Sequence, residues 1–162
     1  MVNRRAGGAT CKDRGQAYTM RVTDFPMQTE SIHHVALTVV DLERSRRFYR
    51  EILGLREIAR PAFDFPGAWF ELSAGQQVHL IVHTNPTFRT GKGLDTRDVH
   101  FAVRVPDYRL AVEELRSKGY REGGAEDEFQ RMILHPHATA GFPQIYILDP
   151  DRHIIEINAA QL

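Results

Sequence analysis

Histidine recurs in this chain at two places with the same neighbours. His34 opens His34-Val35-Ala36-Leu37-Thr38-Val39-Val40-Asp41, and His100 opens His100-Phe101-Ala102-Val103-Arg104-Val105-Pro106-Asp107. His, Ala, Val and Asp coincide at a constant offset of 66 residues. In an extended strand alternate residues share a face, so His34, Ala36 and Thr38 point one way while Val35, Leu37 and Val39 point the other, and His100, Ala102 and Arg104 repeat the pattern. Laying the later stretch AGQQVHL (74–80) over DRHIIEI (151–157) sets His79 against Glu156. Should the two halves share one concave sheet, His34, His79, His100 and Glu156 would converge. Three imidazoles and a carboxylate suit a divalent first-row metal and leave part of an octahedral shell open to substrate or water, which is a catalytic arrangement and not a structural one.

The elements that must position these side chains are legible around them. Residues 31–40 are rich in β-branched types and predict a strand. Asp41 follows as a helix N-cap, and Leu42, Ser45, Phe48/Tyr49 and Ile52/Leu53 recur at helical spacing until Gly54 stops the helix. Short strands over 55–58, 68–72 and 77–83, separated by Pro61, Pro66-Gly67 and Ala74-Gly75, complete a β-α-β-β-β order. After a polar, Gly-containing linker over 84–97 the order repeats. The strand at His100 leads to a helix capped by Asp107, striped by Tyr108, Ala111/Val112 and Leu115 and stopped by Gly119, with strands at 131–134, 144–148 and 153–157. Module one is thus placed at 31–83 and module two at 98–160. Residues 1–29 show neither periodicity and carry Arg4, Arg5, Lys12, Arg14 and Arg21 against Asp13 and Asp24; they read as a flexible arm outside the fold.

Composition limits the partners. The 162 residues are 42% hydrophobic and 26% charged, room for one core built from two small modules. Lys+Arg and Asp+Glu are 21 each, so no basic excess is available to neutralise phosphates and no nucleic-acid partner is expected. The single Cys11 excludes an intrachain disulfide and a multi-Cys zinc site, and fits a reducing compartment. No apolar run approaches the roughly 20 residues that span a bilayer, and the first residues lack a signal-peptide core, so no membrane partner and a cytoplasmic location are expected.

Three segments carry a family resemblance: HHVALTVVDLERSRRFYREILGL (33–55), HFAVRVPD (100–107) and YILDPDRHIIEIN (146–158). Over about residues 31–160 the chain resembles the vicinal oxygen chelate superfamily of glyoxalases, bleomycin-resistance proteins and extradiol dioxygenases. The resemblance implies an α+β fold of two paired βαβββ modules forming an open, curved mixed β-sheet barrel around a metal site, often as a homodimer. It places His34, His100 and Glu156 on the metal-ligand positions and His79 on a fourth, where the family's isomerases carry Glu or Gln. It further implies one divalent ion (Zn, Ni, Co, Fe or Mn) and a glyoxalase-like lyase or isomerase acting on a small carbonyl or hydroxy substrate, with Glu156 as ligand and base. A thiol cosubstrate such as glutathione is the further cofactor it suggests. An Fe-dependent extradiol-type dioxygenase, a thiol transferase and a non-enzymatic antibiotic-binding protein are the competing readings. Arg152 stands where the family's Asp-Pro-Asp-Gly-Asn turn has glycine, so a positive φ there would be strained. For the substrate wall the candidates are Phe65, Trp69, Arg131 and Tyr146. His33 is assigned to the helix side, and His135 and His137, flanking Pro136, to a loop outside the ligand set.

Overall fold

The computed structural model describes residues 10–13, 16–19, 29–73, 75–85, 89, 91–125 and 127–162. It divides into Met1–Ile32 and His33–Leu162. In the first unit, β1 (Thr10–Asp13) and β2 (Gln16–Thr19) pair as an antiparallel hairpin. This is a regular element where the sequence reading expected none; the rest of the arm lies outside the described residues.

The second unit carries the anticipated repeat. Module one runs β3 (His34–Val39), α1 (Leu42–Arg47), β4 (Arg56–Ile58), β5 (Gly67–Glu71) and β6 (Gln77–Val82). Module two runs β7 (His100–Arg104), α2 (Tyr108–Ser117), β8 (Ile133–His135), β9 (Gln144–Leu148) and β10 (Ile154–Asn158). Each module is a four-stranded mixed sheet, ordered β3-β6-β5-β4 and β7-β10-β9-β8, with one parallel pairing apiece, β3 on β6 and β7 on β10. The fold is therefore α+β with two open, curved sheets.

Both helix starts follow from their caps: the Asp41 carboxylate accepts the Arg44 N–H and the Asp107 carboxylate accepts the Leu110 N–H, each at 3.0 Å. The first helix departs from the single α-helix expected. From Phe48 to Ile52 it widens into a π-helical turn that lets the adjacent Phe48 and Tyr49 both enter the core, before Gly54 turns away at φ 66°.

One apolar cluster joins the helix-side faces of the two modules, from Leu37, Phe70 and Leu80 in the first to Val112, Ile145 and Ile155 in the second. The Asp-Pro-Asp turn fastens them. Asp149, fully buried, accepts the Tyr49 hydroxyl at 2.8 Å and the His153 N–H at 2.8 Å, and Asp151 accepts the Val40 N–H and the Ser45 hydroxyl, each at 3.0 Å. Within this turn Arg152 has φ 70°, the one positive φ outside glycine among the described residues, so the condition for strain at this turn position is met. No helix among the described residues is long and apolar enough to cross a membrane.

Candidate functional site

Strand alternation sets the site faces. In module one Leu37, Val39, Val78, Leu80 and Phe70 turn to the core, which leaves His34, Ala36, His79 and Trp69 on the opposite face. In module two Ala102, Glu156, Tyr146 and Ile133 sit across from one another on four strands. His34, Ala36, His100 and Ala102 are exposed, whereas Glu156 is 5% exposed and His79 8%.

The four ligand candidates fall into two pairs. His100 Nε2 lies 3.5 Å from Glu156 Oε2, and the other ring nitrogen of His100 is 2.8 Å from the Asp98 carbonyl. A carbonyl accepts only, so His100 Nδ1 carries a proton there and Nε2 is turned toward Glu156. This is the orientation a metal-ligating histidine takes from its outer-sphere partner. Glu156 is held on both oxygens, by the Tyr146 hydroxyl on Oε2 and the Asn158 amide on Oε1, each at 2.8 Å. Burial pushes its pKa up, but the bonds from Asn158, Tyr146 and Gln144 and the neighbouring His100 outweigh burial and hold it below the ordinary value, so the group is a carboxylate at neutral pH. Burial and the same carboxylate push the Tyr146 phenol well above its ordinary value, so it stays a protonated donor.

The other pair is His34 and His79, whose rings stack at 4.3 Å with 14° between their planes. Trp69, the direct cross-strand partner of His79, covers the far face at 4.1 Å and 6°. His79 is thus the middle plate of three parallel rings, and its Nε2 is 2.7 Å from Gln77 Oε1. Burial, then the neighbouring His34 and His33, lower its pKa, so the ring is neutral. His34 turns Nδ1 to His33 Nδ1 at 2.9 Å, leaving Nε2 available. His34, His100 and Glu156 each carry donor atoms of a kind that divalent first-row ions take, whereas in the observed parallel stack the ring planes of His34 and His79 do not converge on one point.

The four-residue cluster that a shared concave sheet would have produced is not formed within this chain. Among the described residues no three His, Cys, Asp or Glu side chains gather in a way that could hold a metal. A groove of about 420 Å³ lies between β3 and the start of β7, lined by Val35, Thr38, His100 and His153, and His34 does not line it.

The wall candidates also separate. Tyr146 touches Glu156 directly, and Trp69 is spent on His79. Phe65, 37% exposed, stacks on Phe63 at 5.1 Å, and Phe63 leans on Trp69 at 5.9 Å, so Phe65 stands at the outer end of the same run of rings. Arg131 lines a second groove, of about 630 Å³, with Lys92, Leu94, Ile133 and His135. Its buried Nε has no hydrogen-bond partner among the described residues. His135, assigned to a loop from sequence, instead ends β8 and meets the Tyr146 ring edge-on at 5.7 Å. Extending the 131–134 strand by one residue would have found it, because alternation puts His135 on the face of Ile133. Gln77, Asn158 and Asp98, which orient the ligand candidates, carry no sequence signal of their own.

The model of the Glyoxalase/Bleomycin resistance protein/Dioxygenase superfamily matches residues 31–157. The chain belongs to this superfamily. Glyoxylase I 4 of Arabidopsis thaliana is 25% identical over 134 residues, covering 82% of this chain and 72% of the relative. Among solved structures of the superfamily's fold, one described as a glyoxalase family protein from Bacillus anthracis superposes with a TM-score of 0.65 at 24% identity, covering 83% of this chain and 98% of its own. The fosfomycin resistance protein FosX from Listeria monocytogenes, in a complex with Mn(II) and dihydroxypropylphosphonic acid, gives a TM-score of 0.59 at 19% identity, covering 84% and 95%. At these identities the structural likeness speaks to the fold.

Proposed function

We propose that the chain is a cytoplasmic, divalent-metal-dependent enzyme of the glyoxalase type that moves a proton on a small substrate bearing adjacent oxygens, with His34, His100 and Glu156 as the metal-holding set. The observation that carries the reading is the His100–Glu156 pair: an imidazole held through Nδ1 by the Asp98 carbonyl, with Nε2 turned toward a buried, ionised carboxylate 3.5 Å away. Because His34 stands in the other pair, the set is completed between two copies of the chain in a homodimer, His34 of one copy meeting His100 and Glu156 of the other. Exposure of Ala36 and Ala102 beside the ligands supports such a facing surface.

Zn, Ni, Co, Fe and Mn all suit two imidazoles and a carboxylate, and a bound ion supplies Lewis acidity toward the substrate oxygens. The chain's own groups do the rest. Glu156 accepts the substrate proton at its carboxylate, and the Tyr146 hydroxyl, donating to Oε2, fixes that oxygen's direction. Arg131, with His135 beside it, receives an anionic end of the substrate in the 630 Å³ groove, which has room for a glutathione adduct. Phe65, at the outer end of the run of rings that Trp69 anchors on His79, forms the apolar approach.

The test is complementation. Chains with His34→Ala and chains with Glu156→Gln, each inactive alone toward hemithioacetals, are co-expressed. A site shared between copies regains about a quarter of wild-type turnover through mixed dimers, since half the dimers are mixed and each has one intact site. No recovery with both folded chains present refutes the shared site, and full activity of Glu156→Gln refutes the base.

A second reading is favoured by the three-residue ligand set together with Arg131, whose Nε has no hydrogen-bond partner among the described residues: metal-dependent detoxification of a small phosphonate, the ligand class in the FosX complex. Turnover of fosfomycin, with Mn(II) and with or without a thiol, separates it from the first.

A further inference from the structure

A groove of about 470 Å³ runs over the helix side of the fold, away from the sheet faces that carry His34 and Glu156, and shares no lining residue with them. Its floor is Phe48, Ile52, Tyr120 and Phe129. Phe129 is 38% exposed and meets Phe48 and Tyr120 at 6.3 Å each, so an aromatic face is left open to solvent at the centre of the groove. The rim is cationic: Arg44, Arg47, Lys118 and Arg152 line it against a single acid, Glu51.

Three of these cations are engaged. Arg44 donates to the Pro150 carbonyl and faces Asp151, Lys118 bonds the Glu51 carbonyl and Glu114, and Arg152 bonds the carbonyls of Lys92 and Asp127. Arg47 is exposed and its side chain has no hydrogen bond or ion pair among the described residues, although its charge acts on the Asp41 carboxylate. One free guanidinium at the edge of an aromatic floor, inside a positive rim, matches a ligand with one negative charge and an apolar body. The volume is that of a small-molecule site. A polyphosphate would need several free donors where the rim offers one, and an uncharged hydrophobe would leave the guanidinium unused.

We propose that this groove is a second binding site, for a small amphipathic monoanion: an aromatic or alkyl carboxylate or sulfonate whose acid group pairs with Arg47 and whose body lies on Phe48 and Phe129. It stands independently of the metal reading.

The probe is anilinonaphthalene sulfonate, followed by fluorescence with the full chain, with 4-phenylbutyrate and 4-phenylbutanol as competitors. The site predicts one saturable class of probe per chain, displaced by the carboxylate and at least about tenfold less well by the alcohol. Arg47→Glu, at an exposed position, should weaken the probe at least about tenfold with an unchanged thermal melt, and Phe129→Ser should weaken it as well. His34→Ala and Glu156→Gln should leave it unchanged. The proposal is overturned if Arg47→Glu binds the probe as wild type does, if the alcohol competes as well as the acid, or if the signal is lost in the His34 variant, which would place the probe on the sheet face. It is equally overturned if light scattering shows that Arg47→Glu dissociates an oligomer, since the groove would then be covered by another copy.

Discussion

Replacing His79 by phenylalanine separates a ligand from a stacking plate. An imidazole binds a first-row ion along a lone pair lying in the ring plane, at about 2.0–2.1 Å. The His34 and His79 rings are 4.3 Å apart at centroids and within 14° of parallel. Stacked planes come no closer than about 3.4 Å. An ion equidistant from both rings would sit roughly 1.7 Å out of each plane, or roughly 55° off each lone pair. For both to bind one ion, His79 must leave the stack and release Trp69 and Gln77, at a cost of about 2–3 kcal/mol, equivalent to roughly a hundredfold in affinity. Phenylalanine fills the same place between Trp69 and His34 and supplies no lone pair.

The assay is Mn(II) and Zn(II) affinity by calorimetry, with elemental analysis, on wild type, His79→Phe, His34→Ala and His100→Ala. His79→Phe should hold near-wild-type stoichiometry with affinity within about threefold, while the other two lose at least about a hundredfold. A His79→Phe protein that loses metal as completely as His34→Ala, with its melt intact, would falsify the stacking argument and restore a four-ligand centre.

Further outcomes follow from the same contacts. Tyr146→Phe removes one of the bonds holding the Glu156 pKa down, so the acid limb of kcat/KM should move to higher pH; a limb that stays put excludes Glu156 as the titrating base. His79 has a lowered pKa in the folded chain, so near pH 6 the unfolded chain binds more protons and stability should fall as pH drops through about 6.5. Comparing Tm at pH 8 and pH 5.5 should show a smaller loss in His79→Phe than in wild type. Asp149→Ala strands the Tyr49 hydroxyl and the His153 ring in the core and should cost about 3 kcal/mol, lowering Tm by about 10 °C in a thermal melt; a change under 2 °C would show that the Asp-Pro-Asp turn does not fasten the modules. Arg131→Ala should raise KM for an anionic substrate about tenfold with little change in kcat, and an equal loss in both would move Arg131 from binding to catalysis.

How far the sequence reaches is visible residue by residue. The repeat was legible because both first strands keep His and Ala on one face and end in Asp caps, and local chemistry of that kind survives into the fold unchanged: Asp41 and Asp107 cap as expected. The π-turn was hidden because Phe48 and Tyr49 satisfy a helical stripe as well as a widened one, and only packing against both modules decides. The stack on His79 depended on register: once β5 and β6 pair Trp69 with His79, the contact follows, but the intervening turn does not announce that register. Leu94 lies in a stretch that reads as linker yet packs beneath Tyr146, Leu148 and Ile154, a long-range contact that no local pattern encodes.

The division of the ligand candidates into two pairs has its cause in the same packing. Each module has a helix side and a sheet side, and a chain of two modules can bury one of them internally. Here the helix sides are joined, by the common apolar cluster and by a buried Asp149 that accepts from Tyr49 across the boundary. That choice leaves the faces with His34 and Ala36, and with His100 and Ala102, open at their first strands. The imidazoles there are oriented through their Nδ1 atoms, which are held by His33 and by the Asp98 carbonyl. On the proposed reading the fold spends its internal contact on stability and leaves the chemistry to the contact between copies, so activity should fall with dilution as dimers dissociate, whereas the helix-side core of each copy stays intact.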